Sequence, residues 1–157
     1  MKGNAKVIAA LNEALQEELH AINQYFLHAE MCESWKYEAL AKFIKKQSID
    51  EMKHAEKLIE RLLFLDATPT VTGPAQLRVG KNVKEQLAND LELELGAVKL
   101  YNGAIKLARE EADNATAEFL TGILHDEEEH VDWLESQLHL ISEIGYERYL
   151  SRQMEEA

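Results

Sequence analysis

Proline occurs twice and glycine seven times in 157 residues, a joint share of about 6%, half of ordinary usage. A fold rich in strands and tight turns is thereby disfavoured. Both prolines, Pro69 and Pro74, fall with Gly73 and Gly80 inside the single stretch Thr68 to Gly80. Cysteine appears once, at Cys32, which excludes an intramolecular disulfide and every Cys-based zinc pattern. Its plain reading is a half-buried thiol on a helix. Positive charge is scarce, with 17 Lys and Arg against 29 Asp and Glu and a net charge of −12. A nucleic-acid backbone would be repelled, and cations are the better partners. No run of 18 apolar residues occurs, and the longest near the N-terminus is Val7 to Leu11. Neither a membrane span nor a signal h-region is read there, so the expected setting is cytoplasmic, with no membrane and no nucleic-acid partner. The chain does contain 46% hydrophobic and 29% charged residues, a globular composition with enough length to bury a core unaided.

Away from the Thr68–Gly80 break, apolar residues recur at spacings of three and four. Weaker breaks at Ser34–Tyr37 and Asp113-Asn114 divide each half once more. The reading is all-α: four antiparallel helices near 4–34, 38–65, 82–112 and 116–144, one long crossover joining the halves, and a short fifth helix after Gly145, over Glu147–Met154. In domain terms, residues 1–145 form a bundle carrying a dinuclear metal site and 146–157 a short C-terminal helix and tail.

Sliding the chain by 76 residues superimposes Leu15 on Leu91, Glu18 on Glu94, Ala21 on Ala97 and Tyr25 on Tyr101. The same offset places Asp50 on Asp126, Glu51 on Glu127, His54 on His130 and Leu58 on Leu134. Two helical hairpins related by an approximate two-fold axis follow, so a site built by one half is built again by the other.

The polar members of this repeat sit where leucine belongs. On the first helix, Leu11, Leu15, Glu18, Ile22 and Tyr25 share a face, and on the third, Leu87, Leu91, Glu94, Val98 and Tyr101 do so. Glu51 with His54, and Glu127 with His130, occupy the inward faces of the second and fourth. An ionised carboxylate alone in a core costs more than a domain's whole margin of about 5–15 kcal/mol. No Lys or Arg lies on these stripes in the middle turns. Two divalent cations balance four glutamates, and the two imidazoles each complete one shell. The i, i+3 spacing aims each Glu and His of a pair at one ion, while Glu18 and Glu94 terminate or bridge. A ligand set without thiolate favours iron or manganese. A lone ExxH on a helix is ordinary surface chemistry, but two on a repeat, each matched by a core glutamate, are not.

Tyr25 and Tyr101 lie near the ligand faces, where they donate hydrogen bonds to glutamates, serve in electron transfer, or simply pack. Asp90 is read as a solvent-side edge of its stripe. His20, His28, His125 and His139 are read as surface or interface side chains.

The chain resembles the bacterioferritins, haem-containing members of the ferritin superfamily, along essentially its full length. The resemblance is carried by the opening Met-Lys-Gly, by Ala21-Ile-Asn-Gln-Tyr-Phe-Leu-His28, by Ser48-Ile-Asp-Glu-Met-Lys-His-Ala55 and by Asp126-Glu-Glu-Glu-His-Val-Asp-Trp133. It implies a ferritin-like bundle whose dinuclear ferroxidase ligands are Glu18, Glu51, His54, Glu94, Glu127 and His130. It also implies a hollow homo-oligomer of 24 subunits that oxidises Fe(II) with oxygen or hydrogen peroxide and stores the ferric product. Lys46 and Gln47 depart from the histidine and glutamate that some relatives carry near the inner surface. Asp50 is kept, as a weak iron ligand.

Met52 points away from the Glu51 face. With Ile49, Ile59 and Leu63, and with Leu19, Asn23 and Phe26 of the first helix, it marks a second apolar surface. Residue chemistry alone favours a dimer interface with methionine as filler. The resemblance implies instead that Met52 ligates haem b shared between two subunits, which passes electrons inward from a bacterioferritin-associated ferredoxin. Two other readings of the scaffold are a di-iron oxygenase or manganese catalase, and a haem- or partner-binding bundle with vestigial acids.

Overall fold

The computed structural model describes residues 1–72 and 76–154. Gly73 and Pro74, two markers of the central break, and the last three residues of the expected tail lie outside the described residues. Four long helices, α1 (Ala5–Ser34), α2 (Glu38–Phe64), α3 (Val83–Glu110) and α4 (Asn114–Ile144), precede a short α5 (Tyr146–Gln153). The helices begin where their capping chemistry dictates. The Asn4 side chain accepts from the backbone N–H groups of Lys6 and Val7, Asn82 from Glu85, and Asp113 from Thr116. Each satisfies donors that the first turn leaves orphaned. Asp113 thus caps α4, which begins two residues earlier than the periodicity suggests.

The first three helices end without glycine. Lys36, Asp66 and Ala112 adopt left-handed backbone at φ 71°, 57° and 59°. The next residue's N–H then returns to a carbonyl five positions back: Tyr37 to Cys32, Ala67 to Leu62 and Asp113 to Ala108. These are Schellman-type caps, whose satisfied carbonyls offset a left-handed cost of about 1 kcal/mol each. Lys36 and Ala112 are related by the 76-residue offset, so the repeat extends to backbone conformation at both hairpin turns. Gly145, at φ 88°, makes the bend into α5, whose buried Tyr149 donates to Gln137 at 2.7 Å.

α1 packs on α2 and α3 on α4, with α1 against α3 and α2 against α4 closing the bundle. The crossover runs alongside α1 in the same direction. Thr70 N–H donates to Asn12 at 2.8 Å, Arg78 N–H to Gln24 at 3.1 Å and Gly80 N–H to His28 at 3.0 Å. α3 therefore starts near the C-terminal end of α1 and returns antiparallel to it, ending where the Asn4 amide meets Glu111 at 3.0 Å. The core is in two apolar clusters. Leu11, Leu15, Leu58, Leu62 and Leu120 fill one end, and Ile44, Leu87, Leu134 and Tyr149 the other. The repeated glutamates lie in the waist between them.

A candidate dinuclear metal centre

Glu18, Glu51, Glu94 and Glu127 are each no more than 1% exposed, His54 is 3% exposed and His130 8%. One glutamate comes from each long helix. Their donor atoms form two overlapping sets, in each of which every atom lies within 4.8 Å of the others. Glu18, Glu51, His54 and Glu127 make one set, and Glu51, Glu94, Glu127 and His130 the other. Glu51 and Glu127 are therefore shared, while Glu18 and Glu94 belong to one set each. The convergence of the helices thus separates shared glutamates from unshared ones, a distinction that spacing left open.

Among the described residues, ten buried side-chain N or O atoms lack a hydrogen-bond partner, and seven belong to these six residues: Glu18 Oε2, Glu51 Oε1, His54 Nδ1, Glu94 Oε2, both oxygens of Glu127, and His130 Nδ1. Buried polar atoms are normally satisfied. Such a concentration of orphans in one place fits two cations of borderline hardness, bound by carboxylate and imidazole.

The titration behaviour follows from the crowding. Burial, then the charges of Glu18 and Glu94, push Glu51 far above the usual carboxylate range. Burial and Glu127 raise Glu94 to about 8, against the pull of His130. Burial alone would lower His54, but the carboxylates of Glu127, Glu18 and Asp126 outweigh it and raise the imidazole to about 11. His130 moves up for the same reason. His54 Nδ1 lies 3.0 Å from Glu127 and 3.6 Å from both Glu18 and Glu51. His130 Nδ1 lies 3.0 Å from Glu51 and 3.5 Å from Glu94. Without metal the cluster must hold protons, and a cation competes directly for those Nδ1 and carboxylate sites.

The surrounding polar groups are exchanged between halves. Tyr25 of the first half donates to Glu94 of the second, and Tyr101 of the second donates to Glu18 of the first, the latter at 2.5 Å. Burial, followed by the facing carboxylates, raises both phenols well above their ordinary value, so they remain donors. In the same crossed manner, His54 Nε2 meets Asp126 at 2.8 Å, whereas His130 Nε2 is 3.9 Å from Asp50. Asp126 thus holds a proton on His54 Nε2 and turns Nδ1 inward, an orienting role that carboxylates commonly play for metal-binding histidines. The repeat paired Asp126 with Asp50 in sequence, yet only packing reveals that each faces the other half's histidine. Asp50 stands outside both donor sets. It lines a cavity of about 190 Å³ with Lys53, Lys57, Asp126 and Glu129, onto which His54 and His130 open from the centre.

Several sequence expectations are corrected. Asp90 is not at a solvent edge: it is 1% exposed and accepts from Gln24 and His28, both at 2.9 Å. His28 is completely buried, because the crossover covers the side of α1 that helical geometry alone leaves open. Cys32 is fully buried as well and bonds to Gln86 at 3.2 Å; burial, then Asp90, push its thiol up to about 12. His125 and His139 are exposed, as expected, and His20 is partly so. Lys46 is exposed, but Gln47 is 3% exposed and does not face outward. Met52 stands 53% exposed, and Phe26, Ile49 and Leu63 are exposed as well.

These features define a ferritin-like four-helix bundle with a buried carboxylate and histidine cluster at its waist. Residues 8–144 match the family model described as a ferritin-like domain. A bacterioferritin of Brucella melitensis is 44% identical over 149 residues, covering 95% of this chain and 92% of that one. One of Streptomyces coelicolor is 43% identical over 156 residues, covering 99% and 93%, and one of Mycobacterium tuberculosis is 42% identical, covering 95% and 94%. The chain belongs to the bacterioferritin branch of the ferritin family of iron-storage proteins. Among the described residues, no helix is long and apolar enough to cross a membrane.

Proposed function

We propose that the protein is a ferroxidase that oxidises Fe(II) at the waist of the bundle and stores the ferric product within a cytoplasmic shell of 24 subunits. The observation that carries this reading is the set of seven unpartnered buried donor atoms on the repeated residues. Glu51 and Glu127, common to both donor sets, would hold both of a pair of Fe(II) ions. Glu18 with His54, and Glu94 with His130, complete their shells, and Asp50 at the neighbouring cavity receives iron weakly. Each ion gives up one electron. The pair together reduces O2 to H2O2, or H2O2 to two waters, with two protons taken up in either case. The four carboxylates offset the added charge of the ferric ions at fixed positions and need no reorganisation. Tyr25 and Tyr101 hold Glu94 and Glu18 in place, and Tyr25, bonded to a carboxylate of the cluster, is the side chain assigned to electron exchange.

Met52 would hold haem b: an exposed thioether on a helix face that also exposes Ile49 and Leu63 is a soft donor to iron. When bound, haem would supply one-electron transfer, held by Met52 of each of two subunits, with a bacterioferritin-associated ferredoxin as the reductant for iron release. The test follows ferric absorbance after Fe(II) is added to the wild type and to Glu18→Ala, Glu94→Ala, His130→Ala and Met52→Leu variants. The first three are expected to lose at least about tenfold in initial rate, as loss of one metal contact does elsewhere. Met52→Leu should oxidise Fe(II) normally but bind no haem. Equal rates across all of them would end the ferroxidase reading.

A further inference from the structure

Outside the metal centre, a buried polar cluster joins α1, α3 and the crossover. His28 Nε2 accepts from the backbone N–H of Gly80 at 3.0 Å, which leaves its proton on Nδ1, donated to Asp90 Oδ1 at 2.9 Å. Gln24 donates its amide to the same Asp90 oxygen at 2.9 Å and accepts from Arg78 N–H at 3.1 Å. Gly80 is itself wedged against the first turn of α3, where its carbonyl accepts from the Gln86 amide at 3.4 Å. A Cβ there would lie 2.3 Å from Gln86 N. The ring is wholly buried, so both nitrogens are committed and no water substitutes for either partner.

We propose that His28 is an acid-opened latch on residues 76–82 of the crossover. A second proton can be placed only on Nε2, the atom that receives the Gly80 N–H, and two hydrogens cannot share that contact. The charged ring keeps its Asp90 partner and loses the crossover backbone. Other titratable groups around the cluster do not replace that contact. From α3 these are Asp90 and, one turn on, Glu94. From α1 they are Tyr25, which donates to Glu94, and Cys32, held by Gln86. Arg78 of the crossover turns outward to an ion pair with Glu92. α2 and α4 face this end of the core with apolar side chains such as Ile44 and Leu134, and α5 with Tyr149. Release of the latch admits solvent to Gln24 and Asp90, next to the Tyr25 and Glu94 contact of the metal centre.

The test is amide hydrogen exchange, read by mass spectrometry on the assembled protein from about pH 7.5 down to about pH 5, the span in which histidine commonly charges. After correction for intrinsic exchange, protection of the 76–82 peptide should fall by about tenfold per pH unit once the ring charges, because opening is linked to one proton. Peptides from the middle of α2 should stay unchanged. In His28→Gln, which keeps an acceptor and a donor but cannot charge, the profile should be flat. Constant protection in the wild type, or the same fall in the variant, overturns the proposal. Should His28→Gln not fold, Asp90→Asn serves: loss of the anion that favours the charged ring must move the opening to lower pH, and an unmoved midpoint is equally decisive against it.

Discussion

Removing metal ions from the purified protein and restoring them is expected to shift its melting temperature by about 10–20 °C. The figure follows from the two overlapping donor sets. Each ion that binds only the folded chain adds about 2.7 kcal/mol at a hundredfold excess over its dissociation constant, so two add about 5 kcal/mol. A chain of this size gains about 2–4 °C per kcal/mol. The effect has a pH signature. In the metal-free fold Glu94 is raised from 4.5 to about 8, and His54 from 6.5 to about 11. Both groups hold protons that the unfolded chain has already released. Their contribution to stability is complete below the unfolded values and drains away as pH rises through the folded ones. The stripped protein should therefore melt at lower temperature at about pH 8 than at about pH 6. The loaded protein, whose ions have displaced those protons, should lose less, and the gap between the two should widen with pH. Scanning calorimetry with Co(II), or with Fe(II) under anaerobic conditions, reads both quantities. A melting temperature indifferent to metal, or a gap that narrows as pH rises, would refute the argument that the buried glutamates require counter-ions.

Two further outcomes test the supporting geometry. Asp126→Asn should weaken Co(II) binding by about 10–100-fold, the usual consequence of losing a carboxylate behind a ligating histidine. Asp50→Asn, which removes a group 3.9 Å from His130, should weaken it much less; equal losses in a spectroscopic titration would contradict the asymmetry of the two contacts. Gly80→Ala should cost about 1–3 kcal/mol in chemical denaturation, since the added methyl group meets the backbone of Gln86 as well as its side chain. An unchanged denaturation midpoint would show that the close approach is not needed.

The sequence by itself determined the four helices, the crossover and the six residues of the waist, because each is written in a local or periodic signal. Apolar spacing defines a helical face without reference to neighbours, and a glutamate in the middle of such a face is conspicuous at once. The 76-residue repeat then doubled every signal. What the sequence left undetermined depends on contacts between segments far apart in the chain. Spacing placed Glu18 and Glu51 at the centre but not which of them is shared between the two donor sets, since that depends on how four helices converge. His28 and Asp90 lie off the main stripes and read as solvent-facing on isolated helices; the crossover, whose path no periodicity encodes, covers one and pairs it with the other. The turns at Lys36 and Ala112 carry no glycine to announce them, and their left-handed backbone is held by hydrogen bonds to the helices they end. Burial of a polar group is a property of what packs over it, and in this protein that covering is supplied from the other half of the chain.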